Sequence, residues 1–542
     1  MDLGGRMTRK LLLLLLALTL LNLGYGEKKD GLLWEYETGS DINSVAISSD
    51  GEYIVAGSGT SYTIVENGRV YIFNKKGQVL RNYKTDGSVK SVAITPDGEY
   101  IAAGSDDDHV YFFNVDGILL WDYKTGGGVN SVDISSDGEY IAAGSNDDNV
   151  YLLDRDGIVV WKYKIDGNVI SVAITPDGRY VVAGSDDDHV YFFNKKGVLL
   201  WSYKTDGDVN SVTITPDGKY IATGSGEYRY YTYSDSGQVC YFNKEGELLW
   251  SYWTDGSVKS VAITSDGEQV VAGSDDEHVY FFNKEGVLTW RYKTDGGVNS
   301  VAVTPDGRYI TSGSKNNKIC LLNKEGELLW DHWTDGDVNS VAITPDGRYI
   351  VAGSRESSRS KVYLFSPWEV ILKKILEDAK STISRIKLKY NVKEAELLLA
   401  QAEAAFKKGD YDRAEKLALE AKRKAIEISK QAREVEKIIE DARLTILQMK
   451  LKYNVEKAES LLAQAEAALK EGDYDRAEKL ALEAKALALD IDQDGIPNEE
   501  DMFPYINNYY IYGGIGILVI VVVLASIGAV LYIYRKKKDR IF

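Results

Sequence analysis

Between residues 31 and 366, short apolar runs alternate with small polar turns at a nearly constant spacing. In the third copy of this pattern, apolar runs at 132–134, 140–144, 150–153 and 158–163 predict four strands. Asp-Gly pairs separate the first strand from the second and the third from the fourth, as turn residues do between strands. The runs are almost continuously apolar, which is typical of strands buried on both faces.

One phrase, SVAITPDGRYIVAGS at residues 340–354, recurs in near copies throughout this region. Its opening serine stands at Ser44, Ser91, Ser131, Ser171, Ser211, Ser260, Ser300 and Ser340. The commonest interval is 40 residues, and four-stranded units of about 40 residues are typical of propeller blades. We therefore expect an all-β eight-bladed propeller over residues 27–366.

The two ends of the repeat region do not match. The region opens with a lone fourth strand at 32–36 and closes with a unit of only three strands, the last at 362–365. We expect the opening strand to complete the final blade, because this pairing removes an exposed sheet edge and closes the ring.

The repeats resemble two known groups of propellers. SVAITPDGRYVVAGSDDDHVYFFN, residues 171–194, is similar to the first three strands of a WD-repeat blade, although the Gly-His and Trp-Asp pairs of that family are absent. The fourth strands resemble the tryptophan-docking strand of quinoprotein-like propellers. Their tryptophans are Trp121, Trp161, Trp201, Trp250, Trp290 and Trp330, with Arg81 in their place in the second blade. We expect these rings to pack between neighbouring blades.

The quinoprotein resemblance implies a quinone cofactor (PQQ) beside calcium, a catalytic carboxylate and often adjacent cysteines. The chain has no Cys-Cys pair, and its two cysteines, Cys240 and Cys320, are expected to be free thiols in the core. We therefore expect no PQQ and no enzymatic activity. A quinone-dependent oxidoreductase stays open as an alternative.

Three histidines occupy equivalent positions between second and third strands. His109 and His189 stand in SDDDHV, and His278 in SDDEHV. Aspartate beside histidine can ligate a metal, but Asp and Ser also form tight turns through side-chain hydrogen bonds to the backbone. Because the copies belong to separate blades, we interpret them as turns.

Loops between second and third strands, and between each blade and the next, are expected to share one face rich in aspartate. Carboxylates there would attract cations or basic surfaces, although they also serve turn chemistry and solubility. Insertions at residues 59–68, 226–238 and 355–361 break the repeat on this face. Their aromatic and arginine side chains are of the types found in interface hot spots. The predicted partner-binding residues are Tyr62, Tyr228, Arg229, Tyr230, Tyr231 and Tyr233. Tolerated loop elongation is the alternative.

From residue 367 to 489 the apolar period changes to three and four, which predicts an all-α helical stalk. A 63-residue repeat begins at Lys389 and again at Lys452, and its GDYDRAEKLALEA phrase resembles part of a tetratricopeptide-like helix hairpin. The run from Asp410 to Tyr453 is expected to form one helix. A rigid spacer and a peptide-binding groove are both open interpretations.

Residues 490–501, DIDQDGIPNEED, have the spacing of a calcium loop. The predicted ligands are Asp490, Asp492, Asp494, Ile496 through its carbonyl, Asn498 and Asp501. The segment resembles thrombospondin type 3 and dockerin loops, which implies a structural calcium ion. An acidic linker without calcium is the alternative.

The ends of the chain predict export and a single membrane crossing. Residues 1–26 are typical of a signal peptide, or alternatively of an uncleaved anchor. After a juxtamembrane linker at 502–510, residues 511–534 predict a transmembrane helix, and the basic tail at 535–542 predicts a cytoplasmic C-terminus.

The net charge of -18 argues against nucleic-acid binding. Together these features predict a non-enzymatic scaffold of the cell membrane, with the propeller outside and an extracellular protein or envelope component as its unknown partner. A surface receptor for a small ligand or sugar is a further alternative.

Overall fold

The structure, a computed structural model, describes residues 31–60, 68–227, 236–356 and 359–490. These residues form two units, which divide between Ile371 and Leu372. Within them no helix has both the length and the apolar composition of a membrane span. The predicted signal peptide, transmembrane helix and cytoplasmic tail lie outside the described residues.

The first unit is a propeller of eight four-stranded antiparallel sheets, as predicted. Blades one to four consist of β2 (Ile42–Ile47), β3 (Tyr53–Ser58), β4 (Gly68–Asn74), β5 (Val79–Thr85); β6 (Val89–Ile94), β7 (Tyr100–Ser105), β8 (His109–Asn114), β9 (Leu119–Lys124); β10 (Val129–Ile134), β11 (Tyr140–Ser145), β12 (Asn149–Asp154), β13 (Val159–Lys164); and β14 (Val169–Ile174), β15 (Tyr180–Ser185), β16 (His189–Asn194), β17 (Leu199–Lys204).

Blades five to eight consist of β18 (Val209–Ile214), β19 (Tyr220–Glu227), β20 (Ser236–Asn243), β21 (Leu248–Thr254); β22 (Val258–Ile263), β23 (Gln269–Ser274), β24 (His278–Asn283), β25 (Leu288–Lys293); β26 (Val298–Val303), β27 (Tyr309–Ser314), β28 (Lys318–Asn323), β29 (Leu328–Trp333); and β30 (Asp337–Ile343), β31 (Ile350–Arg355), β32 (Lys361–Phe365), β1 (Leu32–Glu37).

Burial follows the position of a strand in its blade. The second and third strands are buried almost throughout, as β7 and β8 show, whereas the outer strand β9 alternates between partly buried and exposed residues. Each apolar cluster lies between two blades. One of them joins Phe112 of blade two to Val132 and Ile141 of blade three. The continuous apolar runs of the repeat are therefore needed because both faces of a blade are covered by its neighbours.

The inner strands form a closed ring of hydrogen bonds between blades. The edge of each inner strand that faces its neighbour has no strand partner, so its amides need side-chain acceptors. The repeated serine supplies them. Ser91 Oγ accepts the Val132 amide at 3.1 Å, and Ser340 Oγ accepts the Val45 amide of blade one at 3.1 Å. The same bond joins every other pair of consecutive blades.

The opening strand closes this ring. β1 pairs antiparallel with β32 and becomes the outer strand of blade eight, whose inner strand is β30. Glu35 lies opposite Tyr363 in this pairing. The predicted clasp is thus confirmed, and residues from the two ends of the repeat region share one sheet.

The repeated tryptophans pack between blades, as expected. Trp121 of blade two donates its indole N–H to the Arg155 carbonyl of blade three at 2.7 Å. Its ring covers Gly157, whose φ is +78° and whose Cβ, if present, would lie 2.8 Å from the ring. The replacement Arg81 belongs to blade one rather than to the second blade. It lies over Gly117 of blade two and donates from Nε to the Gly117 carbonyl at 3.1 Å.

The helices are α1 (Trp368–Lys387), α2 (Lys393–Lys407), α3 (Tyr411–Lys450), α4 (Glu456–Glu471) and α5 (Tyr474–Leu489). Trp368, at the start of α1, belongs to the first unit, where its indole N–H donates to the Gly347 carbonyl at 2.8 Å. The 40 residues of α3 span ~60 Å at 1.5 Å per residue. This confirms the single long helix predicted for the run from Asp410 to Tyr453.

The helical unit has an alanine-rich core, which includes Ala421, Ala425, Ala477 and Ala481, all fully buried. Small side chains let the helix backbones approach closely, and this explains the alanine content of the repeat. Asp410 and Asp473 cap α3 and α5, since the carboxylate of each accepts an amide of the first helical turn.

The two repeated asparagines of the helical unit, Asn391 and Asn454, lie one residue before the N-caps Val392 and Val455. Each asparagine Oδ1 accepts the amide of the first helical residue, Lys393 or Glu456. They thus help to begin α2 and α4 from a position outside the cap.

The ring of serine-to-amide hydrogen bonds between blades makes a testable contribution to stability. Ser171→Ala removes the acceptor of the Val212 amide, and we expect it to lower the free energy of unfolding by about 1–2 kcal/mol. Ser202→Ala, on the exposed outer strand of the same blade, is the matched control and should change it little. Chemical denaturation of both variants measures the difference, and equal effects would contradict a role for the ring.

Arg81 offers the opposite test. Arg81→Trp restores the packing of the other blades over Gly117, and we expect it to raise the free energy of unfolding by about 1 kcal/mol. Lys84→Trp places the same ring on the exposed face of β5 and should give no such gain. A destabilised Arg81→Trp variant in the same denaturation assay would show that docking from blade one differs from that of the other blades.

Candidate functional site

One face of the propeller carries the loops from second to third strands and from each blade to the next; we call it the loop face. The two kinds of loop touch. Asp107 Oδ2, in the first kind, accepts the amides of Asp86 and Gly87 in the second at 2.9 and 3.1 Å. The prediction that both kinds share a face is therefore confirmed.

Asp107 also shapes its own turn, because it accepts the His109 amide at 3.2 Å and the Tyr111 hydroxyl at 2.9 Å. The equivalent aspartates Asp147, Asp187 and Asp276 accept the equivalent tyrosine hydroxyls. Burial raises the pKa of Tyr111, and the bond to Asp107 raises it further. Burial would also raise the pKa of Asp147, but bonds from Tyr151 and Gly126 outweigh it and lower that pKa.

The histidines belong to these turns. His109 Nδ1 lies 2.8 Å from the Asp107 carbonyl oxygen, and His189 and His278 repeat the contact. Since a carbonyl can only accept, Nδ1 carries the hydrogen. Across the described parts of the chain, no three His, Cys, Asp or Glu side chains come together as a metal site. Cys240 and Cys320 are buried and free, as expected.

The carboxylates of the loop face fall into two groups. Those nearer the inner strands are paired: Asp106 with Lys90 at 2.9 Å, and Asp275 with Lys315 at 2.7 Å. Those at the turns between blades are exposed, and one of them, Asp335, pairs with Lys361. Asp86, Asp166, Asp206, Asp255 and Asp295 make no ion pair with any described residue. These exposed turns keep the loop face available to cations and basic side chains.

The described ends of the blade-five insertion lie on this face. Its described base extends β19 and β20 beyond the turn of the other blades, so that Glu227 lies opposite Ser236. The base packs closely on the turn to blade six, since a Cβ on Gly237 would lie 2.3 Å from the Gly256 carbonyl oxygen. The predicted partner-binding residues Tyr228, Arg229, Tyr230, Tyr231 and Tyr233 lie outside the described residues, as does Tyr62 of blade one.

Two exposed tryptophans lie at the loop-face end of outer strands. Trp253 of blade five is 52% exposed and Trp333 of blade seven is 62% exposed. Five other blades have lysine at this position: Lys84, Lys124, Lys164, Lys204 and Lys293. Trp253 lies opposite Gln238 of β20. The sequence analysis did not predict this pair, although tryptophan at a position where the repeat has lysine could have indicated it.

One inner strand carries a carboxylate where six other blades have alanine. The carboxylate of Asp133 in blade three accepts the amide of the next residue, Ile134, and the Ile174 amide of blade four, both at 2.9 Å. Burial raises the pKa of Asp133 to about 6, against the effect of these two amides. The side chain therefore acts as an additional acceptor for the inner edge of blade four.

The predicted calcium ligands can be followed only in part. Asp490 is buried at the end of α5. Asp492, Asp494, Ile496, Asn498 and Asp501 lie outside the described residues, so calcium binding stays a prediction.

Comparisons with known proteins agree with the propeller. The family model described as outer membrane protein assembly factor BamB matches residues 106–227 and 210–363. The model of the WD domain, G-beta repeat, matches residues 32–74 and 76–114. The resemblance to both propeller groups is thereby confirmed. A comparison with curated protein sequences finds no match.

Solved structures show the same fold at low sequence identity. Sqt1 from Chaetomium thermophilum is 16% identical with a TM-score of 0.54, over 62% of this chain and 99% of that one. Sqt1 bound to the N-terminus of the ribosomal protein L10 is 17% identical with a TM-score of 0.54, over 62% and 100%. The computationally designed Ika8 protein is 16% identical with a TM-score of 0.51, over 61% and 97%. At these identities the likeness concerns the fold alone.

The raised pKa of Asp133 predicts a pH dependence. Between pH 3.8 and about 6 the folded chain holds this proton more tightly than the unfolded chain, so the contribution of Asp133 to stability falls as pH rises through that window. Asp133→Ala, which introduces the alanine that six other blades have at this position, should remove this part of the pH dependence of stability. Thr213→Ala, at the same position in blade five, should leave it unchanged. Unfolding midpoints measured across the window that shift in parallel for both variants would disprove the assignment.

Proposed function

We propose that this chain is a non-enzymatic scaffold that binds a protein partner through the blade five to seven sector of its loop face. The observation that carries the proposal is the exposure of Trp253 and Trp333 where other blades have lysine. Large exposed aromatic side chains cost solubility unless a partner covers them, and tryptophan is enriched in interface hot spots.

The charges of the sector support a partner with basic residues. Asp206, Asp255 and Asp295 are exposed in the turns that lead into blades five, six and seven, and their fields would steer a cationic segment to this rim. The predicted Tyr and Arg side chains at 228–233 would extend the contact. The Sqt1 structure with the N-terminus of a ribosomal protein illustrates that a propeller of this fold can hold a protein segment.

The proposed setting is the outer surface of a cell membrane. It rests on the sequence alone, which predicts a signal peptide at 1–26, a span at 511–534 and a basic tail. Calcium at 490–501 would stiffen the joint between the helical unit and the span. A partner in the extracellular space or envelope fits this arrangement.

The test compares partners captured by two forms of the full chain from a membrane extract of its source cells. Trp253→Lys with Trp333→Lys gives the residue that five other blades tolerate, so the fold should persist. We expect the principal captured protein to bind about tenfold more weakly or to be lost, because each buried aromatic anchor contributes on the order of 1–2 kcal/mol.

Lys124→Ala with Lys164→Ala, at the same strand position in blades two and three, is the matched control and should retain the partner. Alanine at Tyr228, Arg229, Tyr230, Tyr231 and Tyr233 tests the insertion separately. If the tryptophan variant and the lysine variant capture the same protein equally well, the proposed sector is wrong.

A further inference from the structure

The helical unit contains a groove whose charge is opposite to that of the whole chain. It lies between the C-terminal end of α1, the turn that follows it, and the middle of α3, and it encloses about 750 Å³. Its cations are Arg385, Lys389, Lys430, Arg433 and Lys437. Glu434 is the one carboxylate among the groove's described lining residues, in a chain of net charge -18. We call this feature the basic groove.

The cations of α3 form one stripe. Lys430, Arg433 and Lys437 are spaced by three and four residues, which puts them on the same face of the helix. From Lys430 to Lys437 the stripe covers ~10 Å at 1.5 Å per residue. All three side chains are exposed, and none makes an ion pair with a described residue, nor does Arg385 on the opposite wall.

The opposite wall is fixed in position by a small network. Lys389 Nζ lies 2.7 Å from Glu436 Oε2, and the Tyr390 hydroxyl donates to the same oxygen at 3.1 Å. These bonds hold the turn after α1 against α3, so the distance between the two cationic walls is set before any ligand binds. A preorganised site loses less entropy on binding than a flexible one.

The floor of the groove is apolar. Ile386 and Tyr390 line it from one side, and Ile426, which is 50% exposed, lines it from α3. Ile426 lies four residues before Lys430, so it is on the same face of α3 as the cations, at the N-terminal end of the stripe. A small inorganic anion would use the charges and leave this surface uncovered, whereas a peptide side chain would cover it.

We propose that the basic groove binds an extended acidic segment of a protein partner, in which two carboxylates and then an apolar residue occupy alternate positions. In an extended strand, side chains two residues apart share one face and are separated by ~7 Å, so two such carboxylates fit within the ~10 Å from Lys430 to Lys437 and the apolar side chain falls beyond Lys430, toward Ile426. The carboxylates pair with the α3 stripe and Arg385, and the apolar side chain covers Ile386 and Ile426. This site is separate from the tryptophan sector of the propeller and does not depend on it.

The test uses the purified full chain and a fluorescein-labelled peptide in which two glutamates and then a leucine occupy alternate positions. Fluorescence anisotropy should show binding at low salt that weakens as salt is raised. Arg433→Glu with Lys437→Glu should weaken binding at least about tenfold. Lys457→Glu with Lys479→Glu makes the same change of net charge at exposed positions elsewhere in the helical unit, and it should leave binding nearly unchanged.

Ile426→Ser tests the floor without changing the charge. It should weaken binding of the leucine peptide about threefold and leave a peptide with serine in place of leucine unaffected. Circular dichroism checks that each variant keeps its helices. Equal losses in the two charge-reversal pairs, or no binding of the peptide to the native chain, would overturn the proposal.

Two further probes separate the sources of negative charge. Inorganic phosphate should compete only weakly with the peptide, and phosphatidylglycerol vesicles should not sediment the chain in a manner sensitive to Arg433→Glu with Lys437→Glu. Strong competition by phosphate would indicate a simple anion site, and vesicle binding lost in that variant would indicate a membrane contact. Either result would disprove an acidic peptide as the ligand.

Discussion

The propeller depends on how the unpaired edge of each inner strand is satisfied. A four-stranded blade leaves one row of amides and carbonyls facing its neighbour, and buried backbone groups need hydrogen-bond partners. In blade three, two adjacent side chains provide these partners. Ser131 accepts the Val172 amide of blade four, and Asn130 donates to the Val169 carbonyl of the same blade. A β-bulge at this point of each inner strand, between Val129 and Ser131 in blade three, allows both side chains to reach across.

The serine bond joins all eight pairs of consecutive blades, whereas the asparagine bond is made from five of the eight blades. Because every blade both gives and receives a serine bond, an incomplete ring would leave inner-edge amides without their acceptors. Blade eight reaches blade one through Ser340 and Asn339, which contact Val45 and Ile42. β1 completes blade eight from the far end of the repeat region. The junction between blades eight and one is thus closed twice. Side-chain hydrogen bonds close it at the inner strands, and the pairing of β1 with β32 closes it at the outer strand.

The sequence predicted most of this architecture because the fold is repetitive. The number of blades, the order of strands, the clasp and the packing of the tryptophans follow from the period and from its mismatch at the two ends. The function of the serine was not predicted, since a residue that appears in every copy gives no hint of which atom it contacts. Nor was the pairing of Asp106 and Asp275 with lysines, which depends on side-chain positions in three dimensions.

The candidate sites show the complementary rule. Repeated residues, such as Asp107 and His109, hold the turns, whereas departures from the repeat are of two kinds. Asp133 and Arg81 make hydrogen bonds within the fold, and the two rim tryptophans are exposed to solvent. Trp253 and Trp333 replace lysine on the rim, and the repeat tolerates either residue there because the position faces solvent. The helical unit follows the same logic: the 63-residue repeat aligns Lys430 and Arg433 with Gln493 and Ile496, so the basic groove belongs to one copy alone. A feature that only one copy carries is not required by a fold that both copies share, and binding is the physical role that such a feature can serve.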